Sequence, residues 1–189
     1  MEQMLEILGA GLLLHSYGGG GILSGFLHPI LGLDHLLAMV AVGFLSAQMG
    51  GRAIWTVPTA FIGVMAVGAI LGIMGVPVPL VEYGITGSVL ILGLGILANR
   101  GIPEWLAITL VSIFAFFHGN AHGTELPELS DTVGLIVAYI AGFLIATAGL
   151  HVIGALIGIM AVRSDRGKML MRATGGIIAA IGVYLVMGV

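Results

Sequence analysis

Apolar residues run through this chain in long unbroken blocks, with none of the one-sided or alternating patterning of water-facing elements. A hydrocarbon core of about 30 Å takes roughly 20 apolar residues of helix. Six stretches meet that length, at about 26–48, 53–75, 80–98, 103–122, 132–162 and 169–188. Between them lie Gly50-Gly51-Arg52, Val76-Pro77-Val78-Pro79, Asn99-Arg100-Gly101, the acidic run 125–131, and the charged run from Arg163 to Lys168. The pattern predicts an all-α polytopic membrane protein, a bundle of six transmembrane helices over 26–189. Pro103 suits a first helical turn, where its missing N–H is tolerated; Pro29 reads the same way and sets His28 at or just before the start of the first helix. Residues 1–25 are different. Met4 to Leu14 is apolar but too short to cross, and Gly18 to Gly21 would break a helix. A secretory leader starts with basic residues, which Met1-Glu2-Gln3 does not. This segment reads as an N-terminal outer-face arm or leader remnant, with a seventh span as the alternative.

Composition strengthens the membrane reading. The 189 residues are 59% hydrophobic and 8% charged, with a mean hydropathy of +1.17, whereas soluble domains carry about 25% charged residues. The 32 glycines fit helices that pack closely in lipid. The absence of cysteine excludes disulfides and thiolate metal sites. Six scattered basic residues make no nucleic-acid patch, and no phosphate-binding loop for a nucleotide is present. Position matters more than net charge: Arg52, Arg100, Arg163, Arg166, Lys168 and Arg172 all fall in or beside the first, third and fifth connections. By the bias of basic residues toward the cytoplasm, both termini are expected on the outer side of the membrane.

Against this apolar background the ionisable residues stand out. His28 and His35 are seven residues apart, nearly two turns, and Asp34 precedes His35. His118, His122 and Glu125 follow an i, i+4, i+7 spacing, interleaved with Gly119 and Gly123, which either unwind the helix or admit a neighbour closely. At 1.5 Å per residue, Asp34 and His35 lie about 9 Å below the outer boundary and His118 about 8 Å below it. Glu82 falls in the same layer. An Asp at mid-bilayer costs on the order of 2.5–3.5 kcal/mol, and no Arg or Lys shares this layer. A divalent cation is the natural counter-charge. Imidazoles with carboxylates and no thiolate favour Ni, Co or Zn, while Mg²⁺ and Ca²⁺ prefer oxygen ligands.

Other polar residues read more plainly. A lone membrane histidine more often bonds a neighbouring helix than a metal, which is the simpler reading of His15 and His151. His151 lies about 30 Å along its helix from the outer start, so it is expected on the inner side, as an exit-path residue at most. Glu82 fits an interfacial carboxylate equally well, and Phe61 a core or lipid-facing aromatic. The scattered methionines read as packing.

The segments HPILGLDH and FHGNAHGTE resemble the signatures of the HupE/UreJ family of nickel/cobalt permeases: a His, five residues and Asp-His in the first span, and Phe-His-Gly-x-Ala/Val-His-Gly-x-Glu in the fourth. The resemblance covers the chain from about residue 24 onward, in motif order and in span count. It implies metal handling by His28, Asp34, His35, His118, His122 and Glu125, with Glu82 and Phe61 in support, and a link to hydrogenase, urease or cobalamin metal supply. The expected function is import of Ni²⁺ or Co²⁺ as transported substrate, with Zn²⁺ able to occupy the site, and with no prosthetic group and no enzymatic activity. Imidazoles bind metal only when neutral, so uptake is expected to weaken below about pH 6. The alternative is an intramembrane zinc-dependent hydrolase, in which the same residues hold Zn²⁺ and a reactive water.

Overall fold

The computed structural model describes residues 21–129 and 132–189, and these form seven α-helices with no strand among them. They are α1 (Ile22–Leu31), α2 (Leu33–Met49), α3 (Ala53–Ile73), α4 (Val81–Ala98), α5 (Glu104–Leu129), α6 (Val133–Ala161) and α7 (Asp165–Gly188). Helices α3 to α7 are each long and apolar enough to cross a membrane, and α1 with α2 makes a sixth passage if the bent pair counts as one span. The chain is a multi-pass membrane protein. His15 and the Met4–Leu14 segment lie outside the described residues.

The basic residues collect at one end of the bundle. Glu104, opening α5, accepts a hydrogen bond from Thr56 Oγ1 of α3 at 2.6 Å and lies 3.9 Å from Arg52. Arg172 Nε of α7 donates to the Leu97 carbonyl at the end of α4 (2.9 Å), and Gln48 Nε2 of α2 donates to the Ile96 carbonyl (3.0 Å). The α2–α3, α4–α5 and α6–α7 connections are thereby gathered together. Trp55 and Trp105, in the first turns of α3 and α5, are exposed at this end, where amphipathic rings suit the membrane–water boundary.

Glycine sets how closely the helices approach. On the α3–α5 seam, a Cβ at Gly119 would overlap the Met65 carbonyl and one at Gly123 the Ala69 carbonyl; Gly68 and Gly72 face the Phe116 and Asn120 carbonyls in return. The α2–α6 seam uses Gly43 and Gly154, and the α4–α7 seam uses Gly93, Gly175 and Gly182. Lipid tails are as apolar as the side chains, so close van der Waals contact is what association in the membrane gains. The FHGNAHGTE glycines therefore admit a neighbour. They do not unwind α5, which stays helical through His122 to Leu129.

Four boundaries differ from the sequence expectation, the first being α5, which runs past residue 122 and through most of the acidic run to Leu129. The first span is not one helix: α1 and α2 meet at Gly32 with an 82° bend. Helix α1 begins at Ile22, so Pro29 lies inside it and His28 in its last turn. Pro29 lacks an N–H and sits three residues before the break, so the two residues together end the α1 ladder. At the far end α7 starts at Asp165, because Ser164 caps it by accepting the Gly167 N–H at 3.1 Å.

Candidate functional site

At the Gly32 break the backbone is extended (φ −77°, ψ 114°), and the Gly32 N–H donates to the His28 carbonyl at 3.1 Å. A side chain at Gly32 would sit 3.2 Å from Asp34 Oδ1 and 3.3 Å from His35 Nδ1, so glycine leaves room for that pair. The bend brings the end of α1 over the start of α2. His28 and His35 meet because the chain folds back there, not because they share the face of one helix.

Four imidazoles from three helices converge. Ring centres lie 4.5 Å apart for His28–His122, 4.6 Å for His35–His122, 4.8 Å for His35–His118 and 5.9 Å for His28–His35. Two imidazoles sharing one ion at about 2.0–2.1 Å place their ring centres about 4.5–6.5 Å apart; these four of the six pairs fall in that window. His35, His118 and His122 are buried, whereas the His28 side chain is 25% exposed and that of Glu125 53%. His28 Nε2 lies 3.8 Å from Glu125 Oε2, and His28, His122 and Glu125 offer ligand atoms all within 4.8 Å of one another. The half-open end of the cluster is formed by His28 and Glu125.

Hydrogen bonding decides which imidazole nitrogens are free. Asp34 Oδ1 accepts from both the backbone N–H and Nδ1 of His35, at 2.8 and 2.9 Å. An ionised carboxylate can only accept, so Nδ1 carries the proton and Nε2 keeps its lone pair. The same logic applies to His118, whose Nδ1 lies 2.9 Å from the Phe114 carbonyl. His35 Nε2, His118 Nε2 and both nitrogens of His122 are buried with no hydrogen-bond partner among the described residues. An unsatisfied buried polar atom costs about 1–3 kcal/mol, and here several face one another. Outer groups that fix the tautomer of a ligating histidine are a regular feature of metal sites.

The remaining sequence candidates distribute as follows. Glu82 lies at the expected level, since its neighbour Gly84 packs on the Phe117 ring beside His118. It is exposed, however, in the first turn of α4, with Phe117 filling the space between α4 and α5. Phe61 of α3 is fully buried, 5.7 Å from the His118 ring. His151 is not remote from the cluster: its ring lies 5.1 Å from that of Phe61. Counting from the start of α6 exaggerates its depth. Gly43 packs against the His151 carbonyl, and Gly43 is eight residues past His35, only about 12 Å along α2.

Two contributors escaped the sequence reading. Phe143 of α6 packs on His122 at 4.0 Å, and Tyr139, one turn earlier, lies 6.1 Å from His28 with its hydroxyl buried and unpartnered among the described residues. Both lie in a long apolar run, but at four-residue spacing with Thr147 and His151 on one face of the helix, a signal the sequence reading passed over. Only the crossing of α1 over α6, where Gly25 meets the Tyr139 carbonyl and Gly142 the Ile22 carbonyl, brings them to the site.

A sequence model of the family described as HupE / UreJ protein matches residues 7–185. The chain is 47% identical over 169 residues to Protein HupE of Rhizobium leguminosarum bv. viciae, covering 89% of this chain and 85% of that protein. No solved structure matches it. Neither match supports the hydrolase alternative.

Proposed function

Because this chain belongs to the HupE / UreJ family, we propose that it imports a divalent transition-metal ion, Ni²⁺ or Co²⁺, across the bacterial inner membrane. The observation that carries this reading is the convergence of four imidazoles from α1, α2 and α5 at ring separations of 4.5–5.9 Å, with the free lone pairs of His35 and His118 dictated by Asp34 and the Phe114 carbonyl.

The basic end lies in the cytoplasm by the positive-inside bias, which puts the half-open His28–Glu125 end toward the periplasm and the C-terminus of α7 outside. Glu125 supplies negative charge at the entrance and, with His28 and His122, takes the hydrated ion. His35 and His118 then replace further water ligands in the buried layer. Asp34 holds the His35 ring in its binding tautomer and balances part of the ion's charge. Imidazole donors select against Mg²⁺ and Ca²⁺, which favour oxygen. Two charges moving inward through 100 mV gain about 4.6 kcal/mol, enough to concentrate a trace metal without a nucleotide. Delivery to hydrogenase, urease or cobalamin assembly is the downstream role that fits.

Radiolabelled Ni²⁺ and Co²⁺ uptake into proteoliposomes tests the proposal. The native chain is expected to accumulate one or both ions, and His35→Ala and His122→Ala to fall to the rate of empty vesicles. Equal flux in all three proteins would refute it.

A further inference from the structure

Among the described residues, the only ring contact joining His151 to the histidine cluster runs through Phe61, which meets His118 edge-on at 5.7 Å and His151 edge-on at 5.1 Å. His151 is 1% exposed, and neither of its nitrogens has a hydrogen-bond partner among the described residues. One turn before it on α6, Thr147 is fully buried with its hydroxyl likewise unpartnered. That is unusual within this bundle. Ser46, Ser88 and Thr86, also buried, each bond a carbonyl of their own helix at 2.6–2.8 Å. Residues four apart share a helix face, so α6 presents an imidazole and a hydroxyl together with their polar atoms unclaimed. A histidine placed only for packing or helix–helix bonding would have used at least one nitrogen.

The space beside His151 adds a direction. A half-open groove of about 260 Å³ between α3 and α6 runs from His151 to Ile54 and Trp55 in the first turn of α3, and apart from His151 and Thr59 its lining is apolar; its far end lies next to Arg52 at the basic end. His151 thus stands on the inward side of the aromatic ring that closes the cluster, at the level of Gly43 of α2.

We infer that His151 and Thr147 form a second, weaker station for the transported cation, separated from the outer cluster by Phe61. This rests on the transport reading above and deepens it. A site rich in imidazoles holds its ion tightly, and conduction requires a later site weak enough to release it. One imidazole and one hydroxyl, with no carboxylate beside them, provide such a site. Movement of the Phe61 ring is then the step that passes the ion inward.

The test combines equilibrium Ni²⁺ binding to the detergent-purified full chain with Ni²⁺ uptake into proteoliposomes, for the native protein, His122→Ala, His151→Phe and His151→Cys. His122→Ala loses both tight binding and uptake. His151→Phe keeps tight binding within about twofold but loses about tenfold or more of uptake, in line with the effect of losing one metal-handling group. His151→Cys restores part of the Ni²⁺ flux and shifts preference toward Cd²⁺, because a thiolate is the softer ligand. Native-rate uptake by His151→Phe would overturn the inference and leave the transport proposal standing. Loss of tight binding in both His151 variants would also overturn it, making His151 a support of the outer cluster. Absence of Ni²⁺ and Co²⁺ flux in the native protein would instead remove the transport reading on which the station depends.

Discussion

The α3–α5 and α4–α7 seams use the same device for different ends. Both are drawn together by glycines whose missing Cβ atoms admit a partner backbone: Gly68, Gly72, Gly119 and Gly123 in the first, Gly93, Gly175 and Gly182 in the second. Along the α4–α7 seam the residues next to the glycines are apolar or small, and the ionisable group that crosses it, Arg172, does so at the basic end, on the Leu97 carbonyl. On α5 each seam glycine follows a histidine. Successive helical residues point about 100° apart, so Gly119 and Gly123 face α3 while His118 and His122 turn toward α1, α2 and α6. Close packing in lipid is a general scaffold. Chemistry arises where the residue beside the glycine is an imidazole, because the tight seam then fixes its depth and heading.

Larger side chains on the two seams should separate packing from chemistry. Gly119→Leu forces a side chain into the Met65 carbonyl. Overpacking costs about 1–3 kcal/mol or more, and here the shift of α5 also disperses the imidazoles, so uptake per folded molecule should disappear. Gly93→Leu should lower folded yield and unfolding temperature by a similar amount but leave uptake per folded molecule unchanged. Loss of specific transport in both would show that the seams are functionally equivalent. His122→Ala acts the opposite way, keeping the fold by circular dichroism and size exclusion while abolishing flux. A smaller effect is expected from Asp34→Asn, which keeps an acceptor for His35 Nδ1 but removes the charge; Ni²⁺ affinity by titration should fall about 10–100-fold. Smallest of all, Arg52→Gln removes an exposed 3.9 Å ion pair with Glu104. Such pairs contribute about 0–1 kcal/mol, so thermal unfolding and uptake should stay near native values.

Much of this architecture is legible in the residues alone. Long apolar runs mark the spans, because lipid tolerates only a helix whose backbone bonds are satisfied internally. Depth arithmetic along α2 and α5 puts His35 and His118 at one level, and their rings lie 4.8 Å apart. What the spacing hides is rotation and bending. Glu82 is at the right depth but exposed, since Phe117 occupies the interface beside it. The 82° turn at Gly32 is invisible to periodicity, because a glycine in an apolar run reads equally as packing or as a break. His151 looks distant when counted along α6, yet a single aromatic ring joins it to His118. Tyr139 and Phe143 share a helix face with Thr147 and His151 at four-residue spacing, but that stripe carries no carboxylate and so does not read as a metal motif.

X-ray absorption spectroscopy of the purified protein loaded with stoichiometric Ni²⁺ bears most directly on whether imidazoles from separate helices share one ion. Outer-shell scattering characteristic of several imidazoles, with nitrogen or oxygen neighbours at about 2.0–2.1 Å, is predicted for the native chain, with a lower imidazole count in both His35→Ala and His122→Ala. A spectrum with an oxygen-only shell, or one unchanged by either substitution, would contradict the account.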